Sequence, residues 1–183
     1  MKLTPEIVSA CTGATLLRAT QWTSAITEAC ARYGIDSPAR AAAFLAQVGH
    51  ESGRLVYVRE IWGPTAAQLR YEGRRDLGNI EPGDGKRYMG RGLIQVTGRD
   101  NYKAATRALR AVDSRAPDFE HDPVALEQPA WAALTAAWFW YSRGLNALAD
   151  RGDFLGITKK INGGTNGLDD RLALWAAAKK VLA

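Results

Sequence analysis

Between Gly73 and Gly98 the chain carries seven glycines, with Pro82 among them. Glycine tolerates left-handed backbone and has no Cβ. Such density excludes a continuous helix and implies tight turns and close backbone approach. The same stretch contains Tyr88, Met89, Leu93, Ile94 and Val96, too apolar a set for a solvated linker. An ordered but irregular segment lining a groove is expected over 73–100, and the rest of the chain has to supply its scaffold.

That scaffold reads as helical on both sides. Alanine, the strongest helix former, recurs in runs interleaved with Leu, Trp and Phe. Thr4 and Pro5 suit the cap and first turn of a helix over 4–11, which Gly13 breaks. Over 15–33 the apolar residues Leu16, Ala19, Trp22, Ala25, Ile26 and Ala29 fall near helical period, and Gly34 follows as a terminator. Ser37 and Pro38 open a third helix in which Ala41, Phe44, Leu45 and Val48 form a buried stripe. Gly49 and Gly53 mark its fraying end. Residues 55–62 read as extended or irregular, and 65–71 as a short helix. Further helices are expected over 101–110 and 127–143, with Gly144 stopping the latter. Two short helices in 145–161 break around Gly152, and Asn162-Gly163-Gly164 forms a turn. A last helix opens at Asp169 or Asp170 and runs to 181. Trp138 and Trp140 are assigned to the core. With 183 residues and no repeat or linker, residues 1–183 are expected to form a single, mainly α domain with one substrate cleft.

A net charge of +5 favours anionic partners. No basic run or nucleic-acid motif accompanies it, so nucleic acid is not expected as a partner. No stretch approaches the roughly 20 apolar residues of a spanning helix, so stable membrane insertion is not expected either. The first twelve residues do not resemble a secretory signal. Synthesis in the cytoplasm is therefore expected, with release by other means if the substrate lies outside. Cys11 and Cys30 read as small buried hydrophobes, although a pairing between them stays open. Two histidines, His50 and His121, with no nearby thiolates under-supply a zinc site. After His50-Glu51 the second histidine of a zinc-peptidase motif is missing, since position 54 is Arg54. No metal and no cofactor are expected.

Two glutamates remain as candidates for chemistry. Phe44, Val48 and Glu51 are spaced by four and three and share one apolar helix face. A carboxyl on that side loses hydration and is expected to titrate high, as a general acid requires. A salt-bridged helix-end glutamate explains Glu51 equally well. Glu60 follows nine positions later in the irregular stretch and is able to fold back. Paired carboxylates across a groove cut glycosidic bonds: one protonates the leaving oxygen, the other activates water or attacks directly. Spacing alone does not specify that arrangement.

The runs His50-Glu51-Ser52-Gly53, Arg59-Glu60, Tyr88-Met89-Gly90-Arg91-Gly92-Leu93-Ile94-Gln95-Val96-Thr97-Gly98, Asn101-Tyr102 and Ile161-Asn162-Gly163-Gly164, followed by Arg171, resemble glycoside hydrolase family 19. The resemblance covers about 35–180, and the Gly-Arg-Gly-Leu-Ile-Gln run is its most specific part. It implies a lysozyme-like fold and an inverting mechanism with Glu51 as general acid and Glu60 as general base. Thr97 then matches a hydroxyl that helps to hold the attacking water, with the carboxyls about 6.5–9.5 Å apart to admit it. Gln95, Asn101 and Asn162 match polar groove residues suited to sugar amides and hydroxyls. Arg171 matches an arginine beside the acid–base pair. His50 is expected to support the substrate site through hydrogen bonding. Tyr88 stands either against a sugar ring or in the core. The chain lacks the cysteines and longer loops of the plant chitinases, and its short acid-to-base spacing is like that of phage-type members. The resemblance thus implies a monomeric endolysin acting on peptidoglycan glycan strands, released to the wall when a holin opens the membrane. A chitinase, a lytic transglycosylase and a non-catalytic wall-binding module are the alternatives.

Overall fold

A computed structural model describes residues 1–183. Ten α-helices carry the structure, in order α1 Pro5–Thr12, α2 Leu16–Arg32, α3 Pro38–Glu51, α4 Ala66–Leu69, α5 Asp84–Arg87, α6 Arg99–Val112, α7 Pro129–Ser142, α8 Leu145–Asp150, α9 Phe154–Asn162 and α10 Leu168–Leu182. Turns of 3₁₀ helix lie at Arg75–Leu77 and Pro123–Glu127. There is no sheet, only two isolated antiparallel bridges, Arg59 with Arg91 and Arg91 with Val96.

α3 is the axis of the fold. Every residue from Ala41 to Gly49 is buried, so between its first and last turns this helix has no solvent face. α1, α8 and α10 pack on it, while α2 lies against α7. Phe44 of α3 meets Trp140 of α7 edge-on, with ring centroids 5.4 Å apart. α6 shows the clearest amphipathic stripe, burying Tyr102, Ala105, Thr106 and Leu109. The N-caps follow simple chemistry: Thr4, Thr15, Ser37, Thr65 and Asp153 each accept a backbone N–H of the turn they open.

Three expectations about element limits are corrected. Gly49 does not fray the end of α3; it is buried inside the helix where α1 crosses. A Cβ there would lie 2.5 Å from the Thr12 carbonyl oxygen, so only glycine lets the helices approach so closely. The stretch expected to be helical over 127–143 divides at Gln128, which is extended ahead of Pro129. A proline disfavours helical backbone in the residue before it and starts the next helix instead. The last helix begins at Leu168, with Gly167 in the left-handed conformation as its cap. Asp169 and Asp170 therefore sit in its first turn.

Cys11 and Cys30 are buried and unpaired. Burial pushes their thiols up to about 11 and about 12, so both remain protonated hydrophobes at neutral pH. No helix is long and apolar enough to cross a membrane.

Candidate active site

The irregular segment after α3 is shaped by a small zipper of backbone bonds. The Glu60 N–H donates to the Gly90 carbonyl at 2.8 Å, and the Gly92 N–H to the Val58 carbonyl at 2.8 Å. The Arg91 N–H and the Val96 carbonyl close the next rung at 3.1 Å. Underneath, the buried Arg91 side chain ties the zipper down, donating to Glu127 at 2.9 Å, the Arg87 carbonyl at 2.7 Å and the Tyr102 hydroxyl at 2.9 Å. A Cβ at Gly90 would lie 2.9 Å from Gln95 Oε1 and 3.3 Å from Thr97 Oγ1, so glycine there lets both side chains keep their places. Gln95 itself holds a left-handed φ of 55°, a strained backbone for a side-chain-bearing residue.

This arrangement opens a cleft of about 390 Å³ against the end of α3 and the end of α9. Glu51 and Glu60 both line it, as do Tyr71, Gln95, Thr97 and Asn162. Of the residues singled out from sequence, five therefore meet in one wall: both glutamates, Gln95, Thr97 and Asn162.

Glu51 caps a buried polar column. Arg171, 2% exposed, donates from Nη2 to Glu51 Oε1 at 2.5 Å and from Nη1 to Gln47 Oε1. The Gln47 amide donates in turn to Thr158 Oγ1 at 2.8 Å. Arg171 Nε reaches the Asn166 carbonyl at 3.3 Å. The Glu51 side chain is 20% exposed toward the cleft. Of the two readings that the helix phase left open, the salt-bridged one is found: the face is hydrocarbon through Val48, and then α10 supplies a guanidinium.

Glu60 is held differently. Its Oε1 accepts from Gln68 Nε2 at 3.0 Å and from the Tyr71 hydroxyl at 3.4 Å, and its Oε2 from the Gly90 N–H at 3.3 Å. Burial first, then the neighbouring Glu60 charge, hold the Tyr71 phenol above its usual value, which keeps it a donor. Gln68 also accepts from the Thr65 N–H at 2.7 Å, completing a capping box around α4. Thr97 Oγ1 donates to the Gln95 carbonyl at 3.0 Å, which leaves its oxygen lone pairs free to accept from a water in the cleft. A water donating to both Thr97 and Glu60 would have its own lone pair fixed in direction.

Three further residues lie elsewhere. Tyr88 does not face a sugar: it is 1% exposed, its hydroxyl donates to the Glu120 carbonyl at 3.1 Å, and its ring meets Tyr102 edge-on at 5.2 Å. The close turns at Gly90 and Gly98 fold this aromatic inward. Asn101, half-buried, does not line this cleft directly; its amide donates to the Thr97 carbonyl at 2.7 Å and so fixes the turn that carries Thr97. His50 also lies outside the cleft wall and pairs with Asp170 Oδ2 at 2.6 Å, while Arg54 donates to Asp170 Oδ1 at 2.5 Å. The Arg54 hydrogen bond, opposed by partial burial and aided by His50, holds the Asp170 carboxyl down to about 2. Sequence reasoning did not single out Gln47, Gln68, Tyr71, Thr158 or Asp170. Only Gln68 left a signal, as the fourth residue of Thr65-Ala66-Ala67-Gln68.

A lysozyme-like helical fold whose cleft brings two glutamates together over a polar floor defines a glycoside hydrolase. The comparisons agree. A glycosyl hydrolase family 19 domain-containing protein of Haemophilus influenzae is 34% identical over 164 residues, covering 74% of this chain and 76% of that protein. The chain belongs to glycosyl hydrolase family 19. An endochitinase of Arabidopsis thaliana is 37% identical over 123 residues, but this chain spans only 39% of that plant protein's length. Chitinase C from Streptomyces griseus superimposes over 98% of this chain and 76% of its own, with a TM-score of 0.75 and 25% identity. A bacterial family 19 chitinase shares the fold over 100% of this chain and 96% of its own, with a TM-score of 0.78 at 24% identity. No protein-family profile matches the chain.

Proposed function

We propose that this family 19 hydrolase cleaves β-1,4 bonds between amino sugars in bacterial peptidoglycan, by single displacement with inversion. The observation that carries the chemistry is that Glu51 and Glu60, on separate elements, open onto one cleft whose wall also presents the Thr97 hydroxyl. Glu51 protonates the leaving oxygen. Glu60 takes a proton from a water that Thr97 helps to aim, and that water attacks the anomeric carbon from the opposite face. Gln95 and Asn162 offer paired donors and acceptors to acetamido and hydroxyl groups.

The basic balance, with a sequence pI near 9.4, supports an anionic envelope polymer as the substrate. An endolysin role follows from that reading: the enzyme acts as a monomer on wall glycan strands once the membrane has been opened for it. Turbidity of outer-membrane-permeabilised Gram-negative cells, followed beside sugar release from soluble chitin, tests the substrate. Loss of turbidity with slow chitin hydrolysis is the expected result, and the reverse pattern overturns it. A chitinase is the second reading, favoured by the relatives, several of which are named as chitinases. Mass spectrometry of the digest identifies the new reducing end. Anhydro-muramyl products would instead mark a lytic transglycosylase.

A further inference from the structure

Glu60 is a wall shared by two openings. The second is a larger groove of about 510 Å³, built on residues 56–62 with Lys86 and Met89, and Glu51 does not line it. Its chemistry differs from that of the polar cleft. Val56 is 45% exposed, Tyr57 48% and Ile61 71%, and Trp62 and Met89 also line it, so the walls are largely apolar and partly aromatic. Two cations line it: Lys86, which is exposed, and Arg59, whose nearest carboxylate is Glu127 at 3.9 Å. Glu60 itself is the only acid in this wall.

Neutral sugar rings accept hydrogen bonds from such cations but bring no charge to pair with them. Peptidoglycan differs from chitin in carrying a short peptide on the lactyl group of alternate sugars, rich in alanine methyls and ending in carboxylates. We propose that the groove beyond Glu60 receives this acidic stem peptide while the glycan strand occupies the cleft, with Arg59 and Lys86 meeting its carboxylates and Val56, Ile61 and Met89 its methyl groups. The assignment rests on the peptidoglycan reading above and deepens it. It makes the second groove a specificity determinant for the muramyl sugar, placed directly beside the residue that activates water.

The test compares soluble peptide-bearing glycan strands with the same strands stripped by an amidase, which retain the lactyl carboxylate but lack the peptide. In the Arg59→Ala/Lys86→Ala double variant, the ratio of kcat/KM on peptide-bearing to stripped strands should fall about tenfold, mostly through KM, as two partly exposed charged contacts allow. The Arg59→Lys/Lys86→Arg variant should restore most of that ratio. An unchanged ratio overturns the proposal, and so does an equal loss on both substrates, which would mean that the cations serve the sugar or its lactyl group. Self-association that disappears in the double variant with the ratio unchanged would assign the groove to a second copy of the chain. A wild-type enzyme that cleaves chitin oligosaccharides but neither kind of strand would remove the peptidoglycan reading itself. That outcome is distinct from one in which the strands are cut but the ratio ignores the substitutions.

Discussion

The two glutamates of the cleft are anchored by opposite means. Glu51 ends a helix with no solvent face along most of its length and is gripped by a buried guanidinium that also holds Gln47 and, through it, Thr158. Glu60 sits in irregular backbone and is oriented by neutral donors, Gln68, Tyr71 and the Gly90 N–H. The support of Glu51 therefore belongs to the core, and the support of Glu60 belongs to a peripheral segment. Damage to the first should appear in global stability as well as rate; damage to the second should appear mainly in rate.

The largest effect should come from Glu51→Gln, which removes the proton donor but leaves an oxygen for Arg171. Cleavage should fall on the order of a thousandfold while thermal unfolding stays close to that of the parent. Full activity would refute the acid role. Arg171→Ala comes next. It leaves Glu51 without its buried partner and should cost about 3 kcal/mol in urea unfolding, together with most activity. If stability were untouched, the contrast between the two anchors would collapse. Gln68→Ala, on the other side, should reduce kcat about tenfold, through misorientation of Glu60, with a small change in unfolding midpoint. A large stability loss there would show that the two supports are alike after all.

The smallest effect concerns Asp170. Its folded value near 2 lies below the ordinary 3.8, so the ionised form stabilises the fold above about pH 4, and that stability is lost as pH falls toward 2. The side chain is 41% exposed. After solvent screening, the contribution should be about 1 kcal/mol. Asp170→Asn should lower stability by that amount at pH 7, with the difference from the parent fading between about pH 4 and pH 2. A difference that persists unchanged at low pH would mean that the loss is not electrostatic.

The scaffold was legible because caps and apolar period act locally. Thr4, Thr15 and Ser37 announce their helices, and the Ala41–Val48 stripe announces the buried axis. The phase of that stripe placed Glu51 on the right face, but its partner lies 120 residues away, beyond the reach of any local pattern. Arg171 entered only through family resemblance, and the resemblance offered no reason for Gln47 or Thr158. Glu60 has no periodic signature, since its position depends on backbone pairing with a segment 30 residues on. Tyr88 shows the converse problem. An aromatic in a glycine-rich run fits a groove or the core equally well by composition; the turns around it let the chain bury the ring under Arg99, whose guanidinium lies 5.0 Å from its centroid. At Pro129 the structure follows the local rule: Gln128 is extended and the proline opens α7.

The crossing at Gly49 bears on how the protein can be cut and rebuilt. The residues before 35 match the family least distinctively, so a minimal fragment drawn by resemblance would discard them. Yet α1 lies against the helix that ends in Glu51, separated by no more than a missing methyl group, and Thr12 presents its carbonyl there. A fragment starting at Ile35 would expose the flank of α3 and part of α10, which also packs on α1. Any chimera, tag or shortened version should therefore treat Pro5–Thr12 as the footing of Glu51 and add new sequence only ahead of it.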